Sequence, residues 1–200
     1  MDEKKFEEKQ PELLPGLPLI TSATIAAFQE ERNILITGEV NSQLMIKVVL
    51  LLREFDKKDP TQPITLYIDS PGGSVNAGLV IVDYMKLCKA PVYTVCMSLA
   101  ASMGAVIFSA GEKGHRYMFE HSQLMIHQPW QGLPDHAKES ELARLSEEMT
   151  STRLKLEKLL SEASGKSLEE IHVACEPDNY LDADEAIAIG LCDQIIRRGE

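Results

Sequence analysis

Three residues suited to acyl transfer stand far apart in this chain, each at the edge of an apolar or small-residue stretch. They are Ser102 in Ala100-Ala-Ser-Met-Gly104, His127 in Met125-Ile-His-Gln-Pro129, and Asp178 in Cys175-Glu-Pro-Asp-Asn-Tyr-Leu181. A serine hydroxyl is a poor nucleophile until a base removes its proton, and imidazole is the side chain best suited to that near neutral pH. The imidazole needs a carboxylate on its other nitrogen to fix its tautomer and stabilise the imidazolium. Such a base must be neutral to act, so hydrolysis is expected to fall as acid protonates His127. The developing oxyanion needs preorganised donors, and the backbone N–H groups of Gly73 and Met103 are the candidates. The chain order Ser, His, Asp differs from the common hydrolase orders but is geometrically unobjectionable. Residue types alone leave another reading open: Ala-Ala-Ser also suits a strand packed tightly on a helix. Five histidines and many acids permit chance combinations as well. His115, His121, His136 and His172 lie in polar or helical contexts and are read as surface residues.

The elements that would hold these residues alternate between strand and helix. Asn33–Val40 is β-rich and precedes a helix with Leu44, Val48, Leu51 and Phe55 at helical spacing. Ile64–Ile68 is a second strand, closed by Asp69-Ser-Pro-Gly-Gly-Ser-Val75 and followed by a helix through about Leu87. Val92–Val95 leads to a helix expected to begin near Ala101, whose N–H groups and positive dipole end would partner the Ser102 hydroxyl. Short strands follow at Arg116–Phe119 and Leu124–Ile126, the latter delivering His127. A long helix is expected from about His136 to Ala163, with Leu142, Leu145, Met149, Leu156, Leu159 and Ala163 on one stripe. Ser167 with Glu170, and Asp182 with Glu185, are capping boxes opening two short helices; Leu191–Ile196 is the last strand. This alternation implies a parallel sheet between helices, with functional loops at the carboxyl ends of the strands. Gly72-Gly73 and Ser102 both fall at such ends, so they can face one another.

Bulk properties narrow the function. Two hundred residues, 44% hydrophobic and 26% charged, suit one domain; residues 1–30 are expected to be a flexible arm and 31–200 the domain. A net charge of −11 argues against nucleic acid or an anionic membrane as partner. No run approaches the ~18 apolar residues of a membrane span, and the charged opening is followed by no apolar signal region, so a cytoplasmic location is the expectation. Cys88, Cys96, Cys175 and Cys192 show no C-x-x-C spacing and read as reduced, buried thiols. With no G-x-x-x-x-G-K-[ST], G-x-G-x-x-G or H-E-x-x-H motif, neither a nucleotide, a metal nor another cofactor is expected.

Four collinear segments, Asp69-Ser-Pro-Gly-Gly-Ser, Ala100-Ala-Ser-Met-Gly104, Met125-Ile-His-Gln-Pro129, and Asp178-Asn-Tyr-Leu with Glu185-Ala and Gly190-Leu, together resemble the ClpP family of serine peptidases over about residues 30–197. The resemblance implies an α/β fold of ClpP/crotonase-like type, a spiral of β-β-α units with a projecting helix. It also implies Ser102 as nucleophile, His127 as general base, Asp178 as orienting carboxylate, and Gly73 and Met103 as oxyanion donors. Family members form heptameric rings that stack as a tetradecamer and degrade peptides and unfolded proteins fed in by an AAA+ unfoldase. This chain departs from the family pattern in three places. Trp130-Gln-Gly-Leu-Pro-Asp135 replaces a Gly-Gly-x-x-Gly-Gln segment, Pro177 replaces an arginine, and the amino-terminal gate motifs are missing. These departures motivate a second reading, a regulatory or structural ring paralogue with little catalysis of its own. A third, a crotonase-type acyl-CoA enzyme, leaves His127 and Asp178 without a task.

Overall fold

The computed structural model describes residues 22–130, 132 and 138–197. Runs of β-branched and aliphatic residues build its centre: β1 (Asn33–Thr37), β2 (Ile64–Ser70), β3 (Val92–Ala101), β4 (Arg116–Phe119), β5 (Gln123–Ile126), β6 (Asn179–Leu181) and β7 (Gln194–Ile196) form one sheet. Its main path runs β1-β2-β3-β4-β7, all parallel, with β5 on β3 and β6 on β5. In β2 the inward side chains Ile64, Leu66 and Ile68 are completely buried, the alternation that a sheet face against helices demands. Helices α2 (Ser42–Lys58), α3 (Val75–Leu87) and α4 (Met103–Ser109) connect the first strands; α5 (Glu139–Ser164), α6 (Leu168–Cys175) and α7 (Ala183–Ile189) follow β5. This is the expected α/β architecture, with one antiparallel pair, β5 with β6, beyond the parallel reading.

Local signals account for most boundaries. Asn41 caps α2 by accepting from the Leu44 N–H, and both expected capping boxes are present, Ser167 with Glu170 and Asp182 with Glu185. Residues 22–30, inside the span expected to be an arm, form a helix, α1 (Ser22–Glu30), whose Phe28 ring meets Tyr67 edge-on at 5.2 Å. Residues 1–21, including Pro11, Pro15 and Pro18, lie outside the described residues, as do His136 and Asp135.

Helix α5 begins at Glu139, and its buried residues are Leu145, Leu156, Glu157 and Leu160. Leu145 and Leu156 of the expected stripe are buried and Leu159 and Ala163 pack against the core, whereas Leu142 is exposed and Leu160, in the second half of the helix, takes an inward place where α5 meets α4 and α6. That second half is anchored by Arg116, which is 2% exposed. Its guanidinium donates to both Asp193 carboxylate oxygens, to the Ala163 carbonyl at 3.0 Å and to the Gly190 carbonyl at 3.0 Å. One side chain therefore ties β4 to the ends of α5 and α7.

Partial burial alone would raise the Asp193 carboxyl, but the hydrogen bonds and charge of Arg116, with the Arg116 and Gly114 N–H groups, outweigh it and hold the carboxyl below its ordinary 3.8. A carboxylate depressed on folding adds stability that is present above the unfolded-state value and lost as pH falls through the folded value. Urea unfolding of the parent and of Asp193→Asn should therefore show a stability gap at pH 6 that narrows below about pH 4. A gap that stays constant down to pH 2 would contradict this coupling.

Candidate active site

The geometry around Ser102 follows from a fork in the sheet. Along one edge, Thr94–Cys96 of β3 pair with β4, whereas Leu99–Ala101 pair with β5. The Ser102 N–H then donates to the Met125 carbonyl at 2.8 Å, so the Ser102 turn is bound to the strand that delivers His127. Strand β6 runs antiparallel to β5 with Ile126 opposite Asn179, and one further step sets His127 opposite Asp178. Three remote segments thus converge through strand register. The helix expected from Ala101 starts at Met103, and β3 runs on to Ala101 instead.

Distances show what contact results. Ser102 Oγ lies 2.8 Å from His127 Nε2, and His127 Nδ1 lies 3.1 Å from Asp178 Oδ1. An ionised carboxylate only accepts, so Nδ1 carries the hydrogen and Nε2 presents its lone pair to the serine hydroxyl. The His127 side chain is 14% exposed, whereas that of Asp178 is 69% exposed. A surface ion pair contributes little to stability, so the carboxylate's value here lies in orientation.

Ser102 itself has φ 54° and ψ −118°, a conformation that a residue with a β-carbon adopts rarely and at a cost of about 1–3 kcal/mol. Its side chain does not cap α4, leaving Oγ for His127. Gly72 is the residue that makes room for this turn. With φ +93°, it would place a β-carbon 2.8 Å from Ser102 Cβ and 2.9 Å from the Met103 nitrogen. Gly73, at φ +142°, would place one 2.5 Å from the Val40 carbonyl. Ser70 fixes the glycine turn from below, donating to the Gly38 carbonyl at 2.6 Å and accepting from the Gly72 N–H at 3.1 Å. Gly73 and Met103 line the same cavity as Ser102, and among the described residues neither N–H has an acceptor.

That cavity has a volume of about 550 Å³. Its apolar walls come from Val75, Val106, Met125, Leu156 and Leu160, its mouth carries Trp130, and among the described residues the carboxylates lining it are Glu39 and Asp178. No thiol competes with Ser102. Burial pushes the Cys96 thiol up to about 12 and those of Cys88, Cys175 and Cys192 up to about 11, so none forms a thiolate near neutral pH. Among the described residues no cluster of histidine, cysteine and carboxylate side chains could hold a metal ion, and no helix is long and apolar enough to cross a membrane.

Several contributors escaped the sequence reading. Leu156 and Leu160 were not singled out for the site, since their place in it depends on which face of α5 meets α4 and α6; Gly72, expected to face Ser102, proves to be the glycine whose missing β-carbon makes room for the Ser102 turn. His172, read as a surface residue, is hydrogen-bonded to the buried Glu157. His115 is likewise engaged, stacked on Tyr93 at 4.0 Å and bonded to the Tyr117 hydroxyl at 2.9 Å. His121 is exposed as expected. Most of the segment after Trp130, residues 131 and 133–137, lies outside the described residues.

Comparison with known proteins gives one consistent result. The family described as Clp protease matches residues 20–199. A protein of Leuconostoc citreum named ATP-dependent Clp protease proteolytic subunit is 43% identical over 169 residues, covering 84% of each chain. Its namesakes in Streptococcus mutans and Streptococcus suis are each 42% identical, over 86% and 84% of this chain and 87% and 85% of their own. A profile spanning nearly the whole sequence and this level of identity, joined to an α/β sheet that carries serine, histidine and aspartate in hydrogen-bonding contact, lead to one conclusion: the chain belongs to the Clp protease family.

Proposed function

We propose that this chain is a serine endopeptidase subunit in which Ser102 is the nucleophile, His127 the general base and Asp178 its orienting carboxylate. The observation that carries the assignment is the Ser102–His127–Asp178 hydrogen-bonded chain, at 2.8 and 3.1 Å, at the mouth of an apolar cavity. Ser102 Oγ attacks the scissile carbonyl carbon while His127 Nε2 takes the hydroxyl proton. The carbonyl electrons move to oxygen, where the Gly73 and Met103 N–H groups receive the oxyanion. Protonated His127 passes its proton to the leaving amine, the C–N bond breaks, and a serine ester remains. Water then attacks that ester with His127 again as base, releasing a carboxylic acid and restoring the hydroxyl. No step requires a metal or a nucleotide.

The chain has no nucleotide-binding loop, whereas its relatives are named ATP-dependent. That division supports a separate AAA+ Clp ATPase as partner, which unfolds protein substrates and delivers them. We infer heptameric rings, stacked as a tetradecamer, and a cytoplasmic setting, in keeping with the family and with four free cysteines, three of them buried. The domain is assigned to residues 31–200. Neither the ring paralogue with little catalysis nor the acyl-CoA enzyme is favoured, since the relatives are proteolytic subunits.

The test is direct. The purified protein, incubated with a fluorophosphonate probe and digested, should yield a single labelled peptide containing Ser102, and the labelled protein should no longer cleave a fluorogenic peptide. Labelling elsewhere, or none in a cleaving sample, would refute the assignment.

The cavity also predicts selectivity. Aliphatic walls reward a leucine or methionine on the acyl side of the scissile bond, whereas an acidic side chain would be buried unpaired near Glu39 and Asp178. A leucine peptide should exceed its aspartate counterpart in kcat/KM by about 100-fold or more. Equal turnover would show that the cavity is not the recognition pocket.

A further inference from the structure

Glu157 is the one buried carboxylate among the described residues, at 4% exposure. Burying a charge is costly unless it is paired, and this one has two partners. Arg153, one turn earlier on α5, donates through Nη1 to both carboxylate oxygens at 3.1 and 3.0 Å. His172 on α6 brings Nδ1 to 2.8 Å from Oε1, and Arg153 Nη1 also lies 3.0 Å from that nitrogen. Arginine offers only donors and a carboxylate only accepts, so the short Nδ1 contact to Glu157 is the stronger claim on the imidazole, which therefore donates.

What α6 holds gives this cluster a purpose. The last two residues of α6 present their carbonyls to the two sides of the site: Cys175 accepts from the Gln128 N–H at 2.9 Å, and Ala174 accepts from the Asn179 side-chain amide at 3.0 Å. Gln128 follows the base His127, and Asn179 follows the acid Asp178. One helix end therefore grips the immediate neighbours of both. The helix is only eight residues long, with Ile171 and Cys175 as its buried side chains, so apolar burial fixes it weakly. The bond from His172 to Glu157 is its polar tie to α5, whose Leu156 and Leu160 line the Ser102 cavity.

We propose that Glu157 is a positioning residue: paired with Arg153 and bonded to His172, it holds α6 where its carboxyl end keeps Asp178 against His127. The inference rests on the triad assignment above. In the full-length protein, Glu157→Gln should lower kcat for a small peptide about tenfold with KM changed less than about twofold, because the alignment of base and acid suffers and the cavity does not. His172→Leu removes the same tie from a partly exposed position and should act in the same direction, even where Glu157→Gln impairs folding. Introduced into Asp178→Asn, either change should lower kcat less than about twofold further, since the carboxylate it positions is already gone.

An equal fold-loss in both backgrounds, a loss confined to KM, or unchanged kcat in both variants would overturn the proposal. An active Ser102→Ala protein would instead overturn the triad assignment, which keeps the two failures distinct.

Discussion

Ser102→Ala should reduce kcat/KM for an apolar fluorogenic peptide by roughly 10^4- to 10^6-fold, and His127→Ala should do nearly as much. The two losses are large for the same reason. The hydroxyl is unreactive without a base 2.8 Å away, and the base has nothing to activate once the hydroxyl is removed. Combining the substitutions should therefore add little to either alone. Activity that remains after Ser102→Ala would come from the cavity and the Gly73 and Met103 N–H groups acting on water. Fluorophosphonate labelling should vanish in Ser102→Ala, because the phosphorus must be bonded by that oxygen. Residual activity within tenfold of the parent would mean that another group performs the attack.

The second large effect concerns stability. Arg116→Met exchanges a buried guanidinium for an apolar side chain, leaves the Asp193 carboxylate with only the backbone N–H groups of Gly114 and residue 116, and deprives the carbonyls of Ala163 and Gly190 of their side-chain donor. Breaking one side of a buried pair typically costs about 3–5 kcal/mol, a large part of the 5–15 kcal/mol by which a domain is stable. The melting temperature should fall by roughly 6–20 °C for a chain of this size. Asp193→Leu added to Arg116→Met should recover much of the loss, because no unpaired charge then remains. A melting point unchanged in the single variant would show that water or a rearranged partner replaces the guanidinium.

Much of this architecture was readable from local chemistry. Strands β1, β2 and β4 are β-branched or aromatic runs, and the two capping boxes mark helix starts through bonds spanning three residues. The meeting of Ser102, His127 and Asp178 could be anticipated because each sits where a strand or loop ends. What escaped depends on distant partners. Strand β6 has three residues behind Pro177, and only β5 gives it a reason to be extended. The constraint on Gly72 comes from Ser102 Cβ, thirty positions on, and the role of His172 comes from a carboxylate on another helix. The inward turn of Leu160 depends on where α4 and α6 pack along α5.

The forked neighbour relation of β3 has a wider consequence for how such a chain can vary. The register joining Ser102 to His127 is written in the short ladder from Leu99 to Ala101 against Gln123 to Met125 and in the Ser102 N–H bond that extends it, while the contacts of Thr94 to Cys96 with β4 serve stability. The exposed tips at Lys113 and His121 lie outside that ladder. They are free to lengthen, shorten or change charge over evolutionary time, so outer surfaces can diversify for new associations while the chemistry stays intact.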